Sequence, residues 1–257
     1  MVKILSDSTC DLSQELLEKY DISILPLHIL LGEKEYCDGV DITPDEIFQW
    51  SDAQKTTPKT SAPALDMAME MLEPFVKEKQ PVICFSISED MSTSANVMRM
   101  AASELEAEDL VTVIDSASLS TGIGLLVLHA AEMAQAGKTV EEIQTEIEEL
   151  KPKVRASFVV DTLVYLYRGG RCSGLAAMFG SALHLHPMIV VENGKMHSSK
   201  KYRGKLSKVI LDYAKDLKEQ MEQARSERVF ITHSGCSPEV VEKVQSFLEE
   251  LHIFDEI

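Results

Sequence analysis

Short apolar runs alternate with amphipathic stretches along the first half of this chain. Val2 to Leu5 is one such run, and it ends in the polar turn Ser6-Asp7-Ser8-Thr9. Asp11, three residues before Gln14, has the spacing of a capping box and predicts a helix over Leu12 to Tyr20. Ile22 to Leu31 is β-rich and gives way to the polar stretch Gly32 to Asp41. Thr43, Pro44 and Glu46 predict another helix start, with proline at the first helical position. Thr60-Ser61-Ala62-Pro63 then precedes a helical pattern carrying Leu65, Met67, Met69, Met71 and Leu72. Pro81 to Ile87 reads as a buried strand that runs into Ser88 to Ser94 and a helix rich in alanine and methionine. Leu110 to Ile114 predicts a strand ending at Asp115-Ser116, followed by a helix carrying Gly122 and Gly124 and another opening at Thr139 with Glu142.

Strands that are apolar throughout, interleaved with helices, predict a parallel sheet covered on both faces. In such sheets ligands gather at the carboxyl ends of the strands. The turns after Leu5, Ile87 and Ile114 all belong to that edge.

The second half changes rhythm. Arg155 to Val160 predicts a strand and Thr162 to Arg168 a short helix. Pro187 to Val191 and Met196 to Ser199 flank Glu192-Asn193-Gly194-Lys195, a strong hairpin signal. A long amphipathic helix from about Gly204 to Arg225, a strand Val229 to Thr232 and a helix Pro238 to Leu251 complete the pattern. The expected fold class is α/β in two domains. Residues 1–152 form an N-terminal parallel α/β domain, and residues 153–257 a C-terminal α+β domain with a mixed or antiparallel sheet.

Composition narrows the function classes. The apolar window nearest to a membrane span, Gly122 to Ala136, is broken by His129 and Glu132. Lys3 precedes only a short apolar run, which does not make a secretory leader. Five cysteines, Cys10, Cys37, Cys84, Cys172 and Cys236, form no CxxC pair or zinc spacing, so reduced thiols in a cytoplasmic protein are expected. With 25 basic and 42 acidic residues the formal charge is −17, which repels nucleic acid and anionic membrane surfaces. A field of that sign still permits a single carboxylate in a local pocket.

Two hydroxyl clusters stand at predicted helix starts: Thr60 and Ser61, and Ser92, Thr93 and Ser94. A helix start offers unpaired N–H groups and a partial positive charge, which suit a carboxylate or phosphate. The same residues also serve as plain N-caps. Gly169-Gly170-Arg171 pairs a flexible backbone with a guanidinium able to grip such an anion, or else ends a helix. His184 and His186 alternate as metal ligands on a strand would, but no acidic or cysteine partner has matching spacing, so no metal is expected. His233 ends a predicted strand, where it serves either a ligand or the fold. Asp7-Ser8 and Asp115-Ser116 read as turn and capping residues, since no G-x-S-x-G elbow is present. G-x-G-x-x-G after the first strand and a P-loop are both lacking, so no nucleotide cofactor is expected. The 12 methionines suit either a flexible acyl chain or an ordinary core.

In order and spacing, several segments together resemble the DegV family of fatty-acid-binding proteins. They are Asp7-Ser8-Thr9-Cys10-Asp11-Leu12, Lys59-Thr60-Ser61-Ala62-Pro63, Ser88 to Ser94, Val113-Ile114-Asp115-Ser116, Asp161-Thr162-Leu163 and Gly169-Gly170-Arg171. The resemblance implies that Thr60 and Ser92 hold a fatty acid carboxylate, with Ser61, Ser94 and Arg171 close by. It implies an acyl tail in a tunnel between the domains, and no catalysis by this chain alone. A separate ATP-binding fatty acid kinase subunit is the implied partner. Thr93 stands where the family usually has glycine, and Ala95 where an aromatic is common. The family's final strand and H-T-G-P-G segment have no counterpart before Phe254-Asp255-Glu256-Ile257. Beside this reading stands a hydrolase or transferase acting at the same edge on a small carboxylated or phosphorylated substrate.

Overall fold

The two strands with the most continuous burial, Lys3–Asp7 (β1) and Val82–Ser86 (β6), lie side by side and are buried at every position. The structure, a computed structural model, describes residues 1–171 and 185–257. Ile22–Leu25 (β2) flanks β1 and Val111–Asp115 (β7) flanks β6, giving a parallel sheet in the order β2-β1-β6-β7. Burial on both faces explains the absence of polar alternation in its central strands.

Helices cover each face. Leu65–Lys77 (α3) and Ser94–Glu104 (α4) pack Ala68, Leu72, Met98 and Ala101 against Leu5, Val82 and Cys84. On the other face Thr121–Gln135 (α5) packs on β1 and against Val140–Leu150 (α6), burying Ile123, Leu126, Val127, Ile143 and Ile147. Met67, Met69 and Met71 line the α3 side of the core, so these methionines are core filler here.

Two capping boxes appear where the spacing predicts them. Thr43 with Glu46 opens Pro44–Gln54 (α2), and Thr139 with Glu142 opens α6. The box expected at Asp11 does not form. Gln14–Lys19 (α1) is capped by Ser13, while Asp11 adopts a left-handed conformation and accepts the Ser120 hydroxyl at 2.6 Å. A tertiary partner takes the place of the local one.

The β-rich stretch Ile22 to Leu31 divides at Pro26, which has no N–H to give a ladder. Its second part, His28–Leu31 (β3), joins Lys34–Cys37 (β4) and Lys59–Ser61 (β5) in an antiparallel sheet of order β4-β3-β5. Trp50 of α2 packs with Ile29, Leu31 and Ile42 under that sheet.

The chain divides into two compact units, Met1–Ala156 with Val191–Lys195, and Ser157–Val190 with Met196–Ile257. A third sheet has the order β10-β9-β8, from Ala156–Val159 (β8), Leu185–Glu192 (β9) and Lys195–Arg203 (β10). Asn193 and Gly194, both at positive φ, close the β9–β10 hairpin as the sequence predicts. Val164–Arg168 (α7) lies between β8 and β9 in the chain. The long helix expected from Gly204 is Leu206–Asp216 (α8) followed by the short Lys218–Met221 (α9). Val229 to Thr232 forms no strand; Val229 and Ile231 pack instead with Ala214 of α8 and with Val244 and Leu248 of Pro238–Leu251 (α10). No helix among the described residues is long and apolar enough to cross a membrane.

Gly124 makes a close backbone approach. A Cβ there would stand 2.9 Å from the Cys10 carbonyl oxygen and 2.8 Å from Leu12 Cδ2. Gly124→Ala gains helix propensity of up to about 1 kcal/mol but forces α5 off this backbone, an overpacking cost of about 1–3 kcal/mol. A lowered midpoint in thermal unfolding is the expected result; an unchanged or raised midpoint would contradict the contact.

Candidate functional site

The carboxyl edge of the parallel sheet is built around one acid. Asp7, the last residue of β1, is fully buried. Its Oδ1 accepts the Thr9 hydroxyl at 2.5 Å and the Thr9 N–H at 3.3 Å, and its Oδ2 accepts the Ile87 N–H at 2.9 Å. Burial pushes this carboxyl above its ordinary value, while the bonds from Thr9, Ile87 and the Ser94 hydroxyl work against that rise. Asp7 thus performs the expected turn duty at Thr9, and a long-range duty besides.

Ser92 and Ser94 come together at the start of α4. Their hydroxyl oxygens lie 3.0 Å apart, and the Ser94 N–H donates to Ser92 Oγ at 3.3 Å. Ser94 is fully buried and Ser92 half-buried, so Ser92 is the member that faces outward. Thr93 occupies the N-cap position without a side-chain cap. The first turn therefore keeps N–H donors next to a hydroxyl, the arrangement that suits an anion. Neither serine has a histidine or lysine hydrogen-bond partner among the described residues. The activated-nucleophile arrangement is not formed here.

Thr60 and Ser61 do not cap a helix. Both are exposed on β5, where Thr60 pairs with Ile29 and Ser61 with His28. The helix opens later, at Leu65, after Ala64 in the cap position with no side-chain bond. His28 ties this entrance down: its Nε2 accepts the Ala64 N–H at 3.2 Å, and its Nδ1 lies 2.7 Å from Glu35 Oε1. Because α3 leads into β6 and α4 leaves it, the end of β6 that delivers the chain to α4 is the carboxyl edge of the sheet, where Ser92 and Ser94 stand. The β5–α3 entrance belongs to the same compact unit.

Arg171 lies in the second unit, exposed, with Nη1 donating to the Gly169 carbonyl at 2.5 Å. Gly170 before it takes a positive φ of 73°, the conformation expected of a paired-glycine turn. His184 lies outside the described residues, as do Cys172 and Met178. His186 is buried with its ring nitrogens against the carbonyls of Val160, at 3.3 Å, and Gly204, at 3.1 Å, which is structural work. His233 is exposed. Among the described residues no group of side chains could hold a metal ion. Burial pushes the Cys10 thiol up to about 11 and the Cys84 thiol to about 12, so neither is a nucleophile near neutral pH. Asp115 accepts the N–H groups of Glu89, at 3.2 Å, and Ala117, at 2.9 Å, a turn role like the one its sequence predicts.

Comparison with known proteins finds one family over nearly the whole chain. Residues 1–256 match the family described as "Uncharacterised protein, DegV family". A DegV domain-containing protein of Clostridium perfringens is 38% identical over 203 residues, covering 79% of this chain and 72% of that protein. A DegV family protein from Thermus thermophilus, described by its fatty acid binding, superposes with a TM-score of 0.87 at 28% identity, covering 99% of this chain and 90% of its own. A stearic acid-binding protein from Eubacterium ventriosum gives a TM-score of 0.77 at 35% identity, over 86% of this chain and 78% of its own. DegV of Bacillus subtilis, described as a fatty acid binding protein, gives 0.86 at 25% identity over 100% and 90%. With its parallel sheet, its hydroxyl-bearing carboxyl edge and this match from end to end, the chain belongs to the DegV family.

Proposed function

We propose that this protein binds a long-chain fatty acid, with the carboxylate held by Ser92 and Thr60 and with Ser61, Ser94 and Arg171 in supporting roles. The observation that carries the reading is the Ser92–Ser94 pair at the start of α4, with the outward hydroxyl beside the first turn of a helix that has no side-chain cap. Ser92 Oγ accepts from Ser94 N–H, and its own proton is free to turn from Ser94 to an arriving carboxylate. A charge-assisted bond of that kind is worth more than the neutral serine–serine contact it replaces. Structures at 28% and 35% identity to this chain are described by bound fatty acid or stearic acid, which supports an acyl chain over a small acid.

Burying an acyl chain contributes about 0.8 kcal/mol per CH₂, so the tail supplies most of the affinity and the polar head its orientation. No reaction is assigned to the chain alone. The bound acid is presented to a separate ATP-binding kinase subunit, whose transferred phosphoryl group would go to the exposed carboxylate. A reduced cytoplasm suits this role and the half-buried thiols of Cys37 and Cys236.

Native mass spectrometry of protein purified from cells is expected to show a co-purified fatty acid, exchangeable for added palmitate or oleate. Absence of both the native adduct and the exchange would defeat the reading. Ser92→Ala and Thr60→Val each remove one hydroxyl donor to a charged group, worth about 1.5–3 kcal/mol, so oleate binding should weaken roughly 10- to 100-fold. The thermal midpoint of either variant should stay near that of the parent. Full affinity in both variants would mean that the carboxylate sits elsewhere.

A further inference from the structure

The tip of the β9–β10 hairpin, Val191–Lys195, is grouped with the first compact unit, and it contacts there the loop that carries Ser92. The central contact is made by Ser88, which is buried. Its hydroxyl donates to the carbonyl of the buried Gly194 at 2.8 Å and accepts the Asp90 N–H at 3.3 Å. Its backbone N–H donates to the Ser118 carbonyl at 2.9 Å. Its own carbonyl accepts the N–H groups of Met91, at 2.9 Å, and Ser92, at 3.1 Å. The N–H, the carbonyl and the hydroxyl of Ser88 are thus all in use, and one of these bonds reaches the backbone of Ser92 itself.

The approach is close enough to exclude a side chain on the hairpin. A Cβ at Gly194 would stand 2.6 Å from Ser88 Oγ and 3.3 Å from Asp90 Oδ2, at a φ of 77°. The hairpin turn alone accounts for the positive φ. It does not account for the lack of room, which comes from the loop. Lys195 adds an exposed ion pair to Asp90 at 3.5 Å, a contact of the kind that contributes little.

We propose that Ser88 is a positioning residue for the carboxylate site, bracing the Ser92 loop against the hairpin tip; the inference rests on the fatty acid reading above. The Ser88 proton is committed to Gly194, which leaves a lone pair of the same oxygen for the Asp90 N–H. Held by Ser118 and Gly194, the residue keeps its carbonyl on the Ser92 N–H. Ser92 is then fixed at its N–H by Ser88 and at its Oγ by the Ser94 N–H. A loop released from this brace holds the Ser92 hydroxyl in place for only part of the time, and apparent affinity falls by that fraction.

The full chain is compared with Ser88→Ala, Ser92→Ala and the double variant, each titrated with oleate and with oleyl alcohol, which shares the tail but not the charge. Ser88→Ala is expected to weaken oleate binding roughly two- to tenfold, the worth of one neutral hydrogen bond, with alcohol affinity near the parent value. In the Ser92→Ala background the same substitution has no hydroxyl left to misplace, so the two losses do not add. A loss by the same factor in both backgrounds, an equal loss for acid and alcohol, or unchanged oleate binding in Ser88→Ala would each overturn the inference. If Ser88→Ala does not fold, Gly194→Ala, which pushes the hairpin off an intact Ser88, enters the same cycle and decides it. A parent that takes up neither compound, or full oleate affinity in Ser92→Ala, overturns the carboxylate reading itself. A parent that binds both, with additive losses in the variants, overturns only the role of Ser88.

Discussion

A carboxylate removed from water has to be surrounded by donors, and Asp7 finds them on two separate pieces of chain. Thr9 comes from the turn after β1 and Ile87 from the end of β6. Neither of these segments could satisfy the acid alone. The arrangement demands that β1 lie directly against β6, as the register from Lys3–Val82 to Ser6–Phe85 shows.

Much of the fold was legible because the governing interactions are local or periodic. The buried runs of β1 and β6, the boxes at Thr43 and Thr139, and the Asn193-Gly194 hairpin each declare themselves within a few residues. The failures share a cause. Asp11 has a capping spacing, but Ser120, far along the chain, offers its oxygen a partner that the helix start does not require once Ser13 is present. Thr60 and Ser61 have the composition of a cap, yet β3 supplies a ladder for them. Val229 to Thr232 has the composition of a strand, yet α8 and α10 offer an apolar face and no neighbouring strand among the described residues takes it. In each case a tertiary partner decided between two locally acceptable states.

The site was legible as chemistry before it was legible as geometry. Hydroxyl residues at the carboxyl edge suggested an anion, and the family resemblance suggested which one. The structure places the hydroxyls of Ser92 and Ser94 in contact. What the sequence could not display is the acid that ties β1 to the end of β6, since Asp7 followed by Ser8 reads as an ordinary turn. Its bond to Ile87 spans 80 positions, and nothing in the spacing of either residue announces it.

That separation bears on how the protein is made. On the ribosome β1 emerges first, and β2 soon after, so this pair can meet early. The other flank of β1 stays open until β6 has left the exit tunnel. Through that interval the chain carries an unpaired edge destined for burial at every position, beside an acid with no donors on one side. Late closure of a long-range parallel pairing slows folding and leaves the intermediate open to aggregation. A polar Asp at the tip of that edge, ionised and hydrated while it waits, acts in the meantime as a gatekeeper against pairing with a neighbouring nascent chain. The same carboxylate that orders the finished edge thus guards the unfinished one.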